Sequence, residues 1–303
     1  MKRLIKVLGK EIRITGRLLR VAQLEGDGYL FLDDPEEMIE GLRACGERID
    51  LFTFMQKLPE TSPQYRFPME WDNFAALPIS SFDDWWNGQI RSVTRNRARQ
   101  AAKRGVVVRE VPFDDSLVKG IWEVYNEFPV RQGRRFEHFG ETISTVCDEE
   151  ATFLDHSVFI GAFLGEQLIG FCKLVFDETC TQAGTMNIIS MIRHRDKAPT
   201  NALIAQAVRS CAERGIRYLV YCQFAYGTKE WSSLADFKSN NGFRRIDIPR
   251  YYVPLTPVGR AALRLGTHKR LWDRLPSSAR SRLRDWRSAW YAWRYCSATR
   301  DSM

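Results

Sequence analysis

The stretch MNIISMIRHRDKAPTNALIAQAVRSCAERGIRYLVYCQF, residues 186–224, decides how this chain folds. Its first residues end a strand predicted over AGTMNIISMI, and IRYLVYCQF reads as a second buried strand. Between them lies a run of helix formers, TNALIAQAVRSCAERG, entered through the loop Arg193, His194, Arg195, Asp196, Lys197 and a break at Pro199. A connector needs a turn, but it does not need that basic cluster at a helix N-terminus. Free backbone N–H groups and the helix dipole both point outward there, which makes it a place where anions bind. Pro199 with Thr200 and Asn201 sets the turn and offers capping oxygens, leaving the next N–H groups, from Ala202 on, for phosphate. Arg193, Arg195 and Lys197 would add charge-assisted contacts. A solvated basic loop that only caps a helix is the competing reading.

Outward from this stretch the pattern alternates. SFDDWWNGQIRSVTRNRARQAAKRG predicts one helix, VVVREV a strand, and DDSLVKGIWEVYNEF a second helix. PVRQGRRFEHFG (129–140) reads as a basic, aromatic loop, and ETISTVCDEEA starts another helix. SVFIGAFLGEQLIGFCKLVFDE predicts an antiparallel hairpin, SSLADFKSNNGF a short helix with a turn, and IDIPRYYVPL a last strand. Upstream, residues 10–32 suggest a hairpin closing through GYLFL. DDPEEMIEGLRAC then reads as a short helix and DLFTFMQ as a strand. KLPETSPQYRFPMEWDNFAALPIS is Pro-rich and reads as an irregular connection. No internal repeat is visible. The order predicts an α/β (α+β) architecture, a mixed, mostly antiparallel sheet with flanking helices. Three regions follow: a small α/β module over 1–80, the main domain over 81–256, and a basic, Trp-rich helical tail over 257–303.

Composition excludes several classes. With 44% hydrophobic and 27% charged residues the chain reads as globular. No run approaches the length of a membrane span, and the basic N-terminus lacks a signal-peptide core, so a soluble, cytoplasmic protein is expected. Seven scattered cysteines without a C-x-x-C pair argue for free thiols. The formal charge of +8 sits wholly in residues 257–303, and the body is neutral, so charge alone does not indicate a nucleic-acid binder. No P-loop, no His-Glu-x-x-His and no Gly-x-Ser-x-Gly is present, and four histidines without ligand spacing predict no catalytic metal.

Three stretches, RNRARQAAKRGVVVREV, YNEFPVRQGRRFEHFG, and TNALIAQAVRSCAERGIRYLVY followed by SLADFKSNNGF, resemble in order and spacing the GNAT (acyl-CoA N-acyltransferase) superfamily, nearest its FemAB-like branch. The resemblance spans roughly residues 81–256, and residues 1–80 would be a reduced first half of a FemAB-like pair. It implies transfer of an acyl or aminoacyl group from a thioester or a charged tRNA to an amine, with residues 193–202 cradling the donor's pyrophosphate. Acyl-CoA is then the expected donor, tRNA the other carrier. One departure matters: the family's Gly-x-Gly/Ala at the helix start is replaced by Ala-Pro-Thr-Asn-Ala.

For the acceptor, a small-molecule or sugar-linked amine, Arg131, Arg134 and Arg135 around Gly133 offer bidentate donors. The competing reading is an exposed loop paired with Glu127, Glu137 and Glu141. His138 is a conceivable base and Tyr226 a conceivable acid. Phe237 and Lys238 occupy the place where GNAT enzymes often carry a tyrosine. Lys238 would instead stabilise a carbonyl or phosphate.

In the tail, Leu283, Trp286, Trp290 and Trp293 form one helical stripe ringed by arginines. Residues 277–296 would lie on an anionic membrane at its inner face, pack on the body, or pack across a homodimer, with a single-strand RNA grip also open. The leading expectation is an N-acyltransferase, its acceptor an amino sugar of bacterial cell-envelope or polysaccharide synthesis. The other is a catalytically silent GNAT-fold binding protein held at a membrane or complex by its tail.

Overall fold

A computed structural model describes residues 2–131, 133–221, 223–224, 233–268 and 286. The first third contains β1 (Lys2–Val7), β2 (Lys10–Thr15), β3 (Val21–Leu24), α1 (Pro35–Ala44), β4 (Leu51–Met55) and β5 (Met69–Pro78). A short α2 (Phe82–Asp84) and a π turn (Trp85–Gln89) lead to α3 (Ser92–Lys103), β6 (Val106–Val111) and α4 (Asp115–Tyr125). Then come β7 (Val130–Arg131), β8 (Arg134–Arg135), α5 (Ile143–Glu150), β9 (Ser157–Leu164), β10 (Gln167–Phe176) and β11 (Gln182–Ser190). A 3-10 turn (Ile192–Lys197) enters α6 (Pro199–Glu213), followed by β12 (Tyr218–Val220), α7 (Ser233–Asn240), β13 (Arg244–Pro254) and α8 (Pro257–Arg264).

All strands but β7 and β8 join one sheet in the order β1-β2-β3-β4-β13-β5-β12-β11-β10-β9-β6. That order contains a repeat. β1 and β2 are antiparallel, β2 and β3 antiparallel, and β3 pairs parallel to β4 after the crossover helix α1. β9, β10, β11, α6 and β12 repeat the same series. Each half then sends one strand across the middle: β5 pairs with β12 and β13, and β13 pairs with β4 and β5. Residues 1–80 and 81–256 therefore share a single sheet. The repeat escapes sequence inspection because topology constrains strand direction and connection, not residue identity.

Several sequence-based expectations are corrected. GYLFL forms no strand; Gly26 and Gly28 adopt φ of +87° and +93° and curl the chain, so that β1 and β3 flank β2 instead. The Pro-rich connection contains β5, a central strand, whose residues Phe74, Ala75, Ala76 and Leu77 are buried in a row. Covered on both faces, it lacks the alternation that marks a half-exposed strand. The single helix expected over 81–105 breaks at Ile90, extended at φ −81° and ψ 146°. There buried Trp85 donates its Nε1–H to the Asn241 carbonyl at 2.9 Å. Within 129–140, β7 and β8 form a tight hairpin. In the tail, α8 packs on β13. Of the predicted stripe only Trp286, 69% exposed, lies inside the described residues.

Gly184 lies where the first half meets β11. A Cβ there would stand 2.3 Å from the Tyr29 ring. Gly184→Ala is expected to cost about 1–3 kcal/mol through overpacking, read by urea unfolding. A Tyr29→Ala background should remove most of that cost, the coupling expected of two groups in contact.

Candidate functional site

β11 pairs with β10 along nearly its whole length but with β12 only at Gln182↔Tyr218, Ala183↔Leu219 and Gly184↔Val220. Beyond these the parallel strands part. Tyr221 gives its N–H to the Ala75 carbonyl, while β11 continues to Ser190 with no strand on that side among the described residues. A crevice at the carboxyl ends of parallel strands is where open α/β sheets hold ligands. Here it opens onto the 3-10 turn and the start of α6.

The repeat allows a direct comparison of two equivalent helix starts. At α1, the Asp34 carboxylate accepts from the N–H groups of Glu36 and Glu37 at 2.9 and 3.0 Å, and both glutamates add negative charge to the first turn. That end repels anions. At α6 there is no side-chain cap and no acid in the first turn. Arg193 and Arg195 stand exposed beside it without an ion pair among the described residues. Lys197 leans on Asp196 at 3.4 Å, which Arg104 also holds at 3.2 Å. His194 has both ring nitrogens buried without a partner, and burial, then Lys197 and Arg193, hold its pKa below the usual value.

The expected supply of free N–H groups is corrected. Ala198 is left-handed at φ +52°, and its carbonyl accepts from Asn201 and Ala202 at 3.2 and 3.4 Å. Thr200 Oγ1 pairs with Ser190 Oγ at 2.8 Å rather than capping, Asn201 is buried, and Ala202 packs against the core. The N–H groups of Ile192 and Arg193 are occupied too, by the Glu127 carboxylate at 2.6 and 2.9 Å. What the loop offers an anion is therefore mainly the side-chain charge of Arg193 and Arg195.

Arg131 is also reassigned. Its guanidinium donates to the carbonyls of Ser190 (2.8 Å) and Val124 (2.9 Å) and to Glu127 (3.4 Å), over the Phe136 ring at 4.9 Å. It ties α4 to the end of β11, and through Glu127 it steadies the basic turn. Arg134 and Arg135, on β8, are exposed. Lys238 is fully buried; its ammonium donates to the Gln223 carbonyl at 2.5 Å and sits over the Tyr221 ring at 4.6 Å, so it secures the chain after β12. His138 stacks on Tyr125 (centroids 4.5 Å apart), with Nδ1 3.1 Å from Glu141 and 3.2 Å from Glu149. These three groups lie within 4.8 Å of one another, a contact that an Nδ1–H satisfies by donating to the carboxylates. Tyr226 lies outside the described residues.

Sequence reading missed a buried polar chain on the opposite face of the sheet from α6. Lys173 on β10 donates to the carbonyls of Glu150 and Thr152, both at 2.7 Å, and stands 4.0 Å from Glu150 Oε2. Glu150 Oε1 accepts from Tyr125 Oη–H and from Asn187 Nδ2–H, each at 2.7 Å. Burial pushes the Glu150 carboxyl up, pushes the Tyr125 phenol up with help from the Glu150 charge, and brings the Lys173 ammonium down to about 8. The one signal was a lysine inside the apolar strand GFCKLVF.

No family profile and no curated protein matches the sequence. Solved structures do match. FemX shares a TM-score of 0.57 at 13% identity, over 88% of this chain and 90% of that one. L-PGS from Bacillus licheniformis shares 0.58 at 12% identity, over 87% and 88%. A C-terminal DUF2156 domain from Agrobacterium fabrum shares 0.57 at 12%, over 88% of each. The likeness is one of fold: GNAT-like, in the FemAB-like arrangement.

Proposed function

We propose that the chain is an acyltransferase that moves an acyl or aminoacyl group from a phosphate-bearing carrier, acyl-CoA or a charged tRNA, to an amine. The amine nitrogen attacks the donor carbonyl carbon, a C–N bond forms, and the carrier leaves as thiol or hydroxyl with the proton the nitrogen gives up. The observation that carries this reading is the crevice between β11 and β12, bordered by the acid-free start of α6 and by Arg193 and Arg195. The fold shared with FemX and L-PGS supports it. An amino sugar of cell-envelope or polysaccharide synthesis is the acceptor proposed.

The double charge reversal Arg193→Glu/Arg195→Glu should weaken binding of the donor, CoA ester or tRNA, by about tenfold or more, with the melting temperature unchanged. Equal affinity in the variant would remove the loop from the site. The second reading, a silent binding protein, is favoured by the occupied N–H groups at Asn201 and Ala202. Thiol release from acyl-CoA with a pool of amino sugars, abolished by the double reversal, would exclude it.

Among the described residues no helix is long and apolar enough to cross a membrane. Attachment of residues 277–296 to an anionic membrane surface, or their packing in a homodimer, belongs to the same proposal. Liposome sedimentation and sizing of the chain with and without residues 269–303 separate the two.

A further inference from the structure

We infer that Asn187 receives the acceptor amine, its Oδ1 accepting an N–H from the attacking nitrogen, with Glu150 as the positioning residue that aims it. The inference rests on the acyl-transfer reading above and assigns the acceptor side of the same crevice.

Position comes first. Cys172 on β10 faces α6, where it lies in the same core as Cys211 and close enough to interact with its thiol. Its neighbour Lys173 must face the other way, and its ammonium does reach the C-terminal end of α5. Asn187 is the residue directly opposite Lys173 in the β10–β11 ladder, so it shares that face. It also lies three residues past Gly184, the last β11 residue paired with β12. Asn187 thus stands in the parted section of β11, on the side away from the basic turn.

Orientation follows from the hydrogen bonds. Glu150 Oε1 takes two donors, Tyr125 Oη–H and the Asn187 amide, each at 2.7 Å. Facing an oxygen that only accepts, Asn187 must present its NH2 group. Its carbonyl oxygen is left on the other side of the amide, and no described residue donates to it. Glu150 itself is only 2% exposed, its Oε2 buried without a hydrogen bond and 4.0 Å from the Lys173 ammonium. Two strands and two helices could be joined there by apolar packing at no desolvation penalty, whereas a buried carboxylate is costly to keep. An aimed amide gives that carboxylate a use.

The chemistry then differs across the sheet. Arg193 and Arg195 suit an anionic carrier. A carbonyl oxygen backed by a carboxylate suits an amine or ammonium and repels phosphate. The hydrogen bond to Oδ1 moves no proton. It leaves the nitrogen lone pair free for the donor carbonyl, and the proton released on attack goes to the departing thiolate or alkoxide.

The test uses the full chain, with acetyl-CoA and mixed aminoacyl-tRNA as donors and glucosamine and ethanolamine as amine probes. Asn187→Ala should raise the KM for the amine by about tenfold or more at wild-type donor affinity, with the melting temperature lowered by only a few degrees because Glu150 Oε1 keeps the Tyr125 hydroxyl. Glu150→Gln, which keeps an acceptor oxygen for both donors, should retain an amine KM within about threefold of wild type. Calorimetric binding of the amine, present in wild type and lost in Asn187→Ala, would support the assignment independently of turnover. Wild-type amine KM in a folded Asn187→Ala that still turns donor over would overturn it. If the wild-type chain neither consumes donor nor binds amine, the acyl-transfer reading itself falls, and this assignment with it.

Discussion

Replacing Lys173 with methionine is expected to lower the stability of the folded chain by about 3–5 kcal/mol, the usual cost of removing one partner from a buried charged pair. The side chain is fully buried on β10. Its ammonium holds the carbonyls of Glu150 and Thr152, and Thr152 Oγ1 at 3.3 Å, and lies over the Phe159 ring at 5.2 Å. Methionine fills much of the volume but donates nothing, so two carbonyls and the Glu150 carboxylate lose their partner together. Urea denaturation should show a lower midpoint at an unchanged m-value. Adding Glu150→Leu should recover none of the loss, because the carbonyls of residues 150 and 152 stay unpaired and the Tyr125 hydroxyl and the Asn187 amide lose their acceptor as well. A pH series supplies a second signature. The Lys173 ammonium is held down to about 8 in the folded chain, against 10.5 for a free lysine. Between those values the unfolded chain binds more protons, so this group makes stability rise with pH from about 8 to 10.5. The methionine variant should lack that rise. A variant as stable as wild type would mean that the carbonyls of residues 150 and 152 find other donors.

The second large effect is expected at Arg131. Arg131→Met should cost roughly 3 kcal/mol, the low end for a mostly buried pair, since its side chain keeps 16% exposure and that of Glu127 keeps 9%. It should also weaken donor binding although Arg131 faces the interior. Glu127 spends its carboxylate on the N–H groups of Ile192 and Arg193, and Arg131 steadies both Glu127 and the Ser190 carbonyl. Without it the turn carrying Arg193 and Arg195 loses its anchor at the end of β11. Arg131→Lys should rescue little, since an ammonium lacks the planar fork that reaches the Ser190 and Val124 carbonyls together. Donor titration at a temperature where both variants are folded reads the effect. Wild-type affinity in Arg131→Met would show that the turn holds its shape unaided.

Much of the second half of the fold was legible in the sequence. The hairpin β9–β10, the strand β11, the helix α6 and the strand β13 each carry a local periodicity or a local stop signal. β5 was not legible, because FAAL is apolar on both sides and lies in a Pro-rich stretch. The pairing of β5 and β13 across the two halves has no local signature at all. The site divides in the same way. Arg193 and Arg195 stand at a helix start in any fold that keeps the strand-loop-helix order, so a local reading found them. Glu127, Arg131 and Asn187 take their roles from partners 66, 59 and 37 residues away. Their chemistry exists only once the chain has closed.

The sequence by itself determined the α/β class, the basic turn before α6, and the resemblance to FemAB-like proteins, because each rests on local patterns and on their order along the chain. Only the tertiary structure decided which polar groups are spent and which are left over. It shows Lys238 and Arg131 consumed by backbone carbonyls, the N–H groups of Asn201 and Ala202 closed by Ala198, and the Asn187 amide aimed by Glu150. A buried donor or acceptor must find a partner, and which one it finds depends on segments that meet in space, not on neighbours in the chain.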